Sequence, residues 1–335
     1  MGKMRDIPCF LVIMRKSGNM EEDGRIEMSR KTSRKKGRKK WLWIVLGIIL
    51  VFVLAVGGYA YSIYHNTKTT LNEKMHEPVN SIDIEVTKKK VKDAQSLNIL
   101  LLGVDARGND RGRSDALMVL TLNPKLETMQ LISIPRDTRT EIVGKGIQDK
   151  INHAYAFGGT EMAIETVENL LDIELDYYVR MNMEGFQELV DQLGTITVYN
   201  DIAWSDGKYD FGFGPTEMDG DKTLAFVRMR KQDPSGDFGR TKRQRQVIQG
   251  IVNKGASVGS VTKINGLIDV LGNNMATNLD FEDMKKLIKD YKGARKNFVD
   301  YQLKGTGTKI DGIYYMQVDD TELQKVRDMI KEMES

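Results

Sequence analysis

Three separated stretches of the chain concentrate arginine and aspartate where the flanking residues read as apolar strands. They are Asp105-Ala-Arg-Gly running on to Arg113-Ser-Asp115, Ile134-Pro-Arg136-Asp137, and Phe226-Val-Arg228-Met-Arg230 with Asp237-Phe-Gly-Arg240 and Arg243-Gln-Arg245 behind it. A charge at the end of a buried strand is costly unless it is paired or used. Guanidinium and carboxylate groups converging from several strand ends therefore point to a metal–phosphate site.

Asp105 and Asp115 bracket a loop rich in glycine and arginine that joins two apolar runs. If those runs pair, both carboxylates emerge near one sheet edge, and two hard oxygen donors there suit Mg²⁺, which prefers a few carboxylates plus water and substrate phosphate. A solvated hairpin loop is the plainer alternative for two aspartates alone. Arg113, Arg136, Arg228, Arg230 and Arg240 change that balance, because guanidinium groups make paired, charge-assisted hydrogen bonds to phosphate and stay protonated. Arg228 and Arg230 alternate, so in an extended segment both would point to one side. Lys242 and Arg245 read instead as an exposed cationic helix face. His153, in Lys150-Ile-Asn-His-Ala-Tyr155, fits either a proton carrier or a residue packing a helix start.

Other chemistries find little support. No Gly-x-x-x-x-Gly-Lys-Ser/Thr run occurs, and Gly144-Lys-Gly146 lacks the continuation of a dinucleotide fingerprint. Three histidines, two of them (His65 and His76) in a polar lysine-rich segment, and the single Cys9 leave no zinc or disulfide framework.

The elements that must position these side chains follow from periodicity. Leu97–Gly103, Ala116–Leu122 and Met129–Ile134 read as buried strands, the last two joined by a turn at Asn123-Pro124-Lys125. Helical spacing is expected at 160–171, 183–193, 219–229, 241–254, 261–271, 281–291 and 321–333. Further strands are expected at 177–181, 195–198, 298–303 and 310–318. Strands and helices interspersed in this way predict an α/β fold with a central mixed sheet covered on both faces by helices.

The formal net charge of +3 hides an asymmetry: residues 1–40 hold 13 Lys and Arg against 5 Asp and Glu, which leaves 37 against 42 in the rest. The mildly acidic body argues against a general nucleic-acid surface. Trp41 to about Tyr61 has no ionisable side chain apart from tyrosine and is long enough to span a bilayer. The basic run from Arg30 to Lys40 precedes it, so the positive-inside rule places the N-terminus in the cytoplasm and the remainder outside. Trp41, Trp43, Tyr59, Tyr61 and Tyr64 fall where interfacial aromatic belts would be. Met28 directly precedes the basic tract, so residues 1–27 read as an upstream mis-start.

Five blocks, Leu-Leu-Leu-Gly-Val-Asp105, Arg113-Ser-Asp115, Ile-Pro-Arg136-Asp137, Lys150-Ile-Asn-His-Ala-Tyr155 and Ala225-Phe-Val-Arg228-Met-Arg230 with Asp237-Phe-Gly-Arg240 and Arg243-Gln244, are similar in kind and order to those of the LytR-CpsA-Psr proteins of bacterial cell envelopes. The resemblance implies an α-β-α sandwich that holds a polyprenyl diphosphate with its tail in a hydrophobic pocket. It implies a Mg²⁺-dependent transfer of a glycopolymer phosphate from that lipid to a peptidoglycan muramic acid hydroxyl, and the short architecture resembles members handling wall teichoic acid in Gram-positive bacteria. Carried over by motif, Asp105 and Asp115 hold the metal, with Arg136 beside them in catalysis, and Arg113, Arg136, Arg228, Arg230, Arg240 and Gln244 contact the diphosphate. Whether Asp105 or Asp115 also accepts the hydroxyl proton is left open. The expected organisation is a basic cytoplasmic tail at 1–40, a transmembrane anchor at 41–63, an extracellular stalk at 64–95 and a catalytic domain at 96–335. The rival readings are an envelope-related transcriptional regulator and a lipid diphosphate hydrolase.

Overall fold

A computed structural model describes residues 37–105, 112–255 and 261–335, with only the backbone course given at 37–48 and 261–265. Cys9, the residues 1–27 expected to be a mis-start, and most of the basic tail lie outside the described residues. The first helix, α1 (Gly37–Thr69), leads into π-type turns at Thr70–Met75. The stretch Ile49–Met75, from within α1 to the end of those turns, is long and apolar enough to cross a membrane. Its side chains from Ile49 to Leu54 are exposed, an arrangement that water disfavours and lipid does not.

The segment expected as a stalk, 64–95, is for the most part folded. Leu71 and Met75, four residues apart, are buried with Phe281. Ile82 enters a core of the domain, and α2 (Ile84–Lys92), capped by the Asp83 carboxylate on the N–H groups of Glu85 and Val86, buries Val91 in another. These anchors are spread over the π-type turns, a bend and one short helix, so no sustained apolar period announces them in sequence.

The domain then runs β1 (Leu97–Asp105), β2 (Arg113–Asn123), β3 (Thr128–Ile134), the small hairpin β4 (Arg139–Ile142) and β5 (Ile147–Lys150), and α3 (Asn152–Leu171). It continues with β6 (Tyr177–Asn182), α4 (Met183–Leu193), β7 (Ile196–Asn200), β8 (Trp204–Ser205), β9 (Asp210–Phe211), β10 (Gly214–Met218), α5 (Gly220–Arg228) and α6 (Asp237–Gly255). Last come α7 (Val261–Asn274), β11 (Met275–Thr277), α8 (Phe281–Asp290), β12 (Asn297–Gln302), β13 (Thr306–Ile310), β14 (Ile313–Gln317) and α9 (Asp320–Glu334). The strand expected at 310–318 is β14, preceded by a turn at Asp311-Gly312, both at positive φ, that pairs it as a hairpin with the unexpected β13. Asp-Gly is the dipeptide that such a tight turn favours.

A six-stranded sheet in the order β11-β6-β1-β2-β3-β12 forms the middle layer. β1 runs antiparallel to β2 and parallel to β6, and β3 runs antiparallel to β2 and parallel to β12, so the sheet is mixed. Strand alternation divides the residues between two faces. Leu100, Leu102, Leu117, Val119 and Ile132 pack under α3 and α9. Leu97 and Ile99 face the other way, against Val91 of α2 and Tyr291 after α8. A further core joins α4, α5 and α6 to the β7–β10 hairpin around Phe211, Phe226 and Val247. The fold is an α-β-α sandwich.

Candidate functional site

On the face of β1 that carries Leu101 and Gly103, the next residue of the same parity is Asp105. β2 returns alongside with Arg113 opposite Asp105 and Ser114 opposite Val104, but Ala116 is opposite Gly103. Asp115 is therefore the extra residue of a β-bulge, a device that re-aims a side chain at the end of a pairing. The pairing of the two runs brings both carboxylates to one sheet edge, as expected. The loop that joins them, 106–111, lies outside the described residues.

Arg136 follows β3 in a turn closed by two hydrogen bonds to the Pro135 carbonyl, from Thr138 N–H (3.0 Å) and from the Thr138 hydroxyl (2.7 Å). This turn directs the guanidinium back across the sheet edge, where Nη1 donates to Asp115 Oδ1 at 2.9 Å. Its Nε is 3.7 Å from Asp137 Oδ2, and Lys150 Nζ holds the other Asp137 oxygen at 2.6 Å. Asn152, the first residue of α3, brings Nδ2 to 3.5 Å from Asp115 Oδ1, and its own buried Oδ1 has no hydrogen-bond partner among the described residues.

The third block arrives with α5 and α6. Arg228 is the last residue of α5, and the chain becomes extended at Met229. The two arginines therefore do not share one extended segment, contrary to the alternation read from sequence; instead both line a groove beside Trp204 and Tyr209. Arg243 supports this loop from beneath, donating to the carbonyls of Phe226 (3.2 Å) and Met229 (2.6 Å) while pairing with Asp233 at 2.5 Å. A Cβ at Gly239 would overlap the Asp233 carboxylate, so that position is restricted to glycine.

Asp237, in the first turn of α6, ties Arg240 at 2.7 Å and lies 3.9 Å from Arg230. Sequence reading gave it no role because the helix was expected to begin at 241; the i, i+3 spacing of Asp237 and Arg240 was the available signal. Arg245 corrects another expectation. It is not on an exposed cationic face but buried, bonded to Asp300 at 2.6 Å, the Ser133 hydroxyl at 3.1 Å and Gln302 at 3.2 Å. Lys242, paired with Asp201, is exposed as expected. His153 is at the start of α3, bonded to Asp149 at 2.8 Å and edge-on to Phe157.

Charge in the cluster is unevenly met. Burial works against ionised Arg136, but Asp115, with help from Asp237 and Asp137, more than compensates and leaves its pKa raised. Arg240 goes the other way: burial first, then the like charges of Arg136 and Arg230, outweigh Asp237 and Asp115 and lower its pKa. Its Nε is buried with no hydrogen-bond partner among the described residues. An anion placed here would relieve both deficits.

An apolar cavity of about 160 Å³ begins beside this cluster. Its floor is Leu101, Gly103, Ala116 and Met118 of the sheet, and its roof is Phe186 and Leu189 of α4 with Ile248 and Ile251 of α6. Gln244, one turn beyond Arg240 on α6, lines it. Arg240 and Arg230 thus gather at Asp237 and Arg136 at Asp115, with both carboxylates acting on Arg136 and Arg240; Asp105 and Arg113 face one another at the adjoining strand ends, Gln244 is at the apolar cavity, and Arg228 is in the groove beside Arg230.

The chain is similar in sequence and in fold to known proteins. The LytR_cpsA_psr family profile matches residues 57–332. The chain is 48% identical over 302 residues, covering 90% of its own length and 98% of the relative's, to the polyisoprenyl-teichoic acid–peptidoglycan teichoic acid transferase TagU of Bacillus subtilis (strain 168). The crystal structure of B. subtilis TagU superposes with a TM-score of 0.60, over 72% of this chain and 97% of that one, at 48% identity. The family protein YwtF (TagT) with bound octaprenyl pyrophosphate lipid superposes with a TM-score of 0.58, over 72% and 90% of the two chains, at 30% identity. The chain belongs to the LytR-CpsA-Psr family.

Proposed function

We propose that this protein transfers a glycopolymer phosphate, of the wall teichoic acid class, from a polyprenyl diphosphate carrier to a muramic acid hydroxyl of peptidoglycan. The observation that carries this reading is the apolar cavity opening beside a cluster of arginines, one of which has a buried donor with no partner among the described residues. A diphosphate lipid has the matching shape: an apolar chain attached to concentrated negative charge. The similarity to TagU supports the polymer class, and the similarity to a relative that holds octaprenyl pyrophosphate supports the lipid.

In the proposed reaction the lipid chain occupies the cavity, and Arg113, Arg136, Arg228, Arg230 and Arg240 hold the diphosphate, with Gln244 at the boundary between the two. Asp105 and Asp115 fit a Mg²⁺ ion: they are two hard oxygen donors at one sheet edge, in the number that leaves room for phosphate and water. When bound, that ion would neutralise charge on the phosphoryl oxygens. The acceptor hydroxyl oxygen forms a bond to the polymer-side phosphorus as the bond to the bridging oxygen breaks, and that electron pair leaves with the lipid phosphate. Asp105 or Asp115 receives the hydroxyl proton. Arg136 is catalytic in stabilising charge on the transferring oxygens, so most of the rate enhancement is electrostatic and positional.

The candidate spanning helix anchors this chemistry to the cell membrane as a single pass. With the basic tract on the cytoplasmic side, the domain is extracellular, where both lipid carrier and wall are accessible. Positive-inside topology accounts for that tract without a nucleic-acid partner.

The test is reconstitution with a lipid diphosphate-linked teichoic acid precursor and peptidoglycan oligosaccharides. The expected product is a covalent polymer–glycan conjugate that depends on acceptor concentration. Release of polymer phosphate at the same rate without acceptor would favour the hydrolase, and an intact donor alongside altered transcription would favour the regulator.

A further inference from the structure

Transfer needs a second binding site, for the acceptor glycan, and α6 indicates where it lies. Ile248, Ile251 and Gln244 line the apolar cavity, Arg240 comes a turn earlier, and Asp237 and Phe238 in the first turn line a separate cavity of about 330 Å³. At a rise of about 1.5 Å per residue, the helix places the residues lining the two cavities roughly 10 to 15 Å apart, with Arg240, whose guanidinium is 2.7 Å from Asp237, between them along α6. In a phosphoryl displacement the entering and leaving oxygens lie roughly in line through phosphorus. A lipid phosphate departing on the apolar side therefore requires a hydroxyl entering from the side of Phe238.

That second cavity has the walls of a sugar site. Pro135 and Asp137 come from the turn that carries Arg136, Gln302 from the end of β12, and Tyr314 and Met316 from β14. The β13–β14 hairpin is fixed to the turn by a 2.8 Å bond from Met316 N–H to the Asp137 carbonyl and by a bridge between Thr138 and Met316. Phe238 and Tyr314 are 38% and 45% exposed, leaving aromatic surface available. Rings that take the apolar C–H face of a pyranose, beside carboxylate and amide groups that take its hydroxyls, are what glycan recognition requires.

We propose that this cavity seats the acceptor sugar of the peptidoglycan strand, with Tyr314 and Phe238 as its stacking platforms. The inference rests on the transferase reading above and adds to it the place where the acceptor binds. Arg230, which borders both the cavity and the Trp204 groove, links the entering sugar to the diphosphate.

The experiment uses the full-length protein in detergent, a lipid diphosphate-linked teichoic acid precursor and a soluble peptidoglycan oligosaccharide with a free 6-hydroxyl. In Tyr314→Ala and in Phe238→Ala, which lie on different elements, KM for the oligosaccharide rises about tenfold, the scale of one lost aromatic contact. KM for the donor and the thermal midpoint stay unchanged, and Tyr314→Phe retains the wild-type acceptor KM. Titration of the oligosaccharide alone, without donor, shows the same loss of affinity. Unchanged acceptor KM and affinity in both alanine variants, or a rise in donor KM instead, overturns the proposal. Tyr314-dependent binding in a protein that performs no transfer would sink the transferase reading and leave the acceptor cavity standing.

Discussion

The Arg136 guanidinium is held 2.9 Å from Asp115, the one residue of β2 that the bulge leaves without a partner on β1. Cation and carboxylate constrain each other. Asp115 keeps Arg136 charged against partial burial, and Arg136 occupies one Asp115 oxygen while the turn at Pro135 fixes its approach. The pair is partly exposed, at 20% and 29%, so its consequence is more for ligand binding than for stability.

Arg136→Ala should lower turnover by roughly 10² to 10³, the scale of losing one preorganised charge-stabilising group. Arg136→Lys should recover only part of it, because an ammonium cannot make the paired geometry. Steady-state transfer assays on variants with wild-type circular dichroism check this; wild-type turnover in Arg136→Ala would remove the arginine from the chemistry.

Ala116→Leu places a larger side chain on the cavity floor. Affinity for polyprenyl diphosphates should fall at least tenfold, while inorganic diphosphate, which has no chain, should bind as before. In the wild type, each added isoprene should strengthen binding only over the first few units, at about 0.8 kcal/mol per buried methylene, since the cavity is about 160 Å³. A titration series of chain lengths reads both effects.

Divalent cation removal should weaken the diphosphate lipid as well as stop transfer. Lipid binding measured with and without Mg²⁺ should show a difference in the wild type that disappears in Asp105→Ala and Asp115→Ala. Equal binding with and without the ion in the wild type would argue against a site at these carboxylates.

Arg245→Ala should cost about 1–3 kcal/mol of stability, because it strips charged hydrogen bonds from Ser133 and Gln302, whereas half-exposed Asp300 can hydrate. Lys242→Ala should fall within about 0.5 kcal/mol. Chemical denaturation distinguishes the buried arginine from its exposed neighbour on the same helix, and specific activity per folded molecule should be retained in both.

Glu168 supplies a pH dependence. Burial raises its pKa above 4.5; the Leu175 N–H opposes this, and Glu174, Glu165 and Asp176 add to it. The folded state therefore binds this proton more tightly than the unfolded chain. Its stabilising contribution is full below 4.5 and is lost as pH rises through the folded-state value. Urea unfolding should show the wild type gaining on Glu168→Gln as pH falls from neutrality toward 4.5; a difference that grows with rising pH would contradict the assignment.

By itself, the sequence determined the strands that end in charge, the helices with clear apolar spacing, the candidate spanning segment and the arginines and aspartates that crowd the strand ends. These are local signals: side-chain period, turn residues and the cost of burying an unpaired charge. Only tertiary structure decided which of the charges meet. Arg243 and Arg245 are two residues from each other and from the same helix as Arg240, yet one supports the Arg228–Arg230 loop and the other crosses to Asp300, because their partners come from elements 10 and 55 positions away. The Asp115 bulge was out of reach, since a register shift depends on pairing with a distant strand, whereas Asp237 left only the i, i+3 spacing with Arg240 as a trace, because a helix start depends on the loop packed before it. Residue type fixes what a group can do; the company it keeps is set by long-range packing, and that is not written in any one stretch of chain.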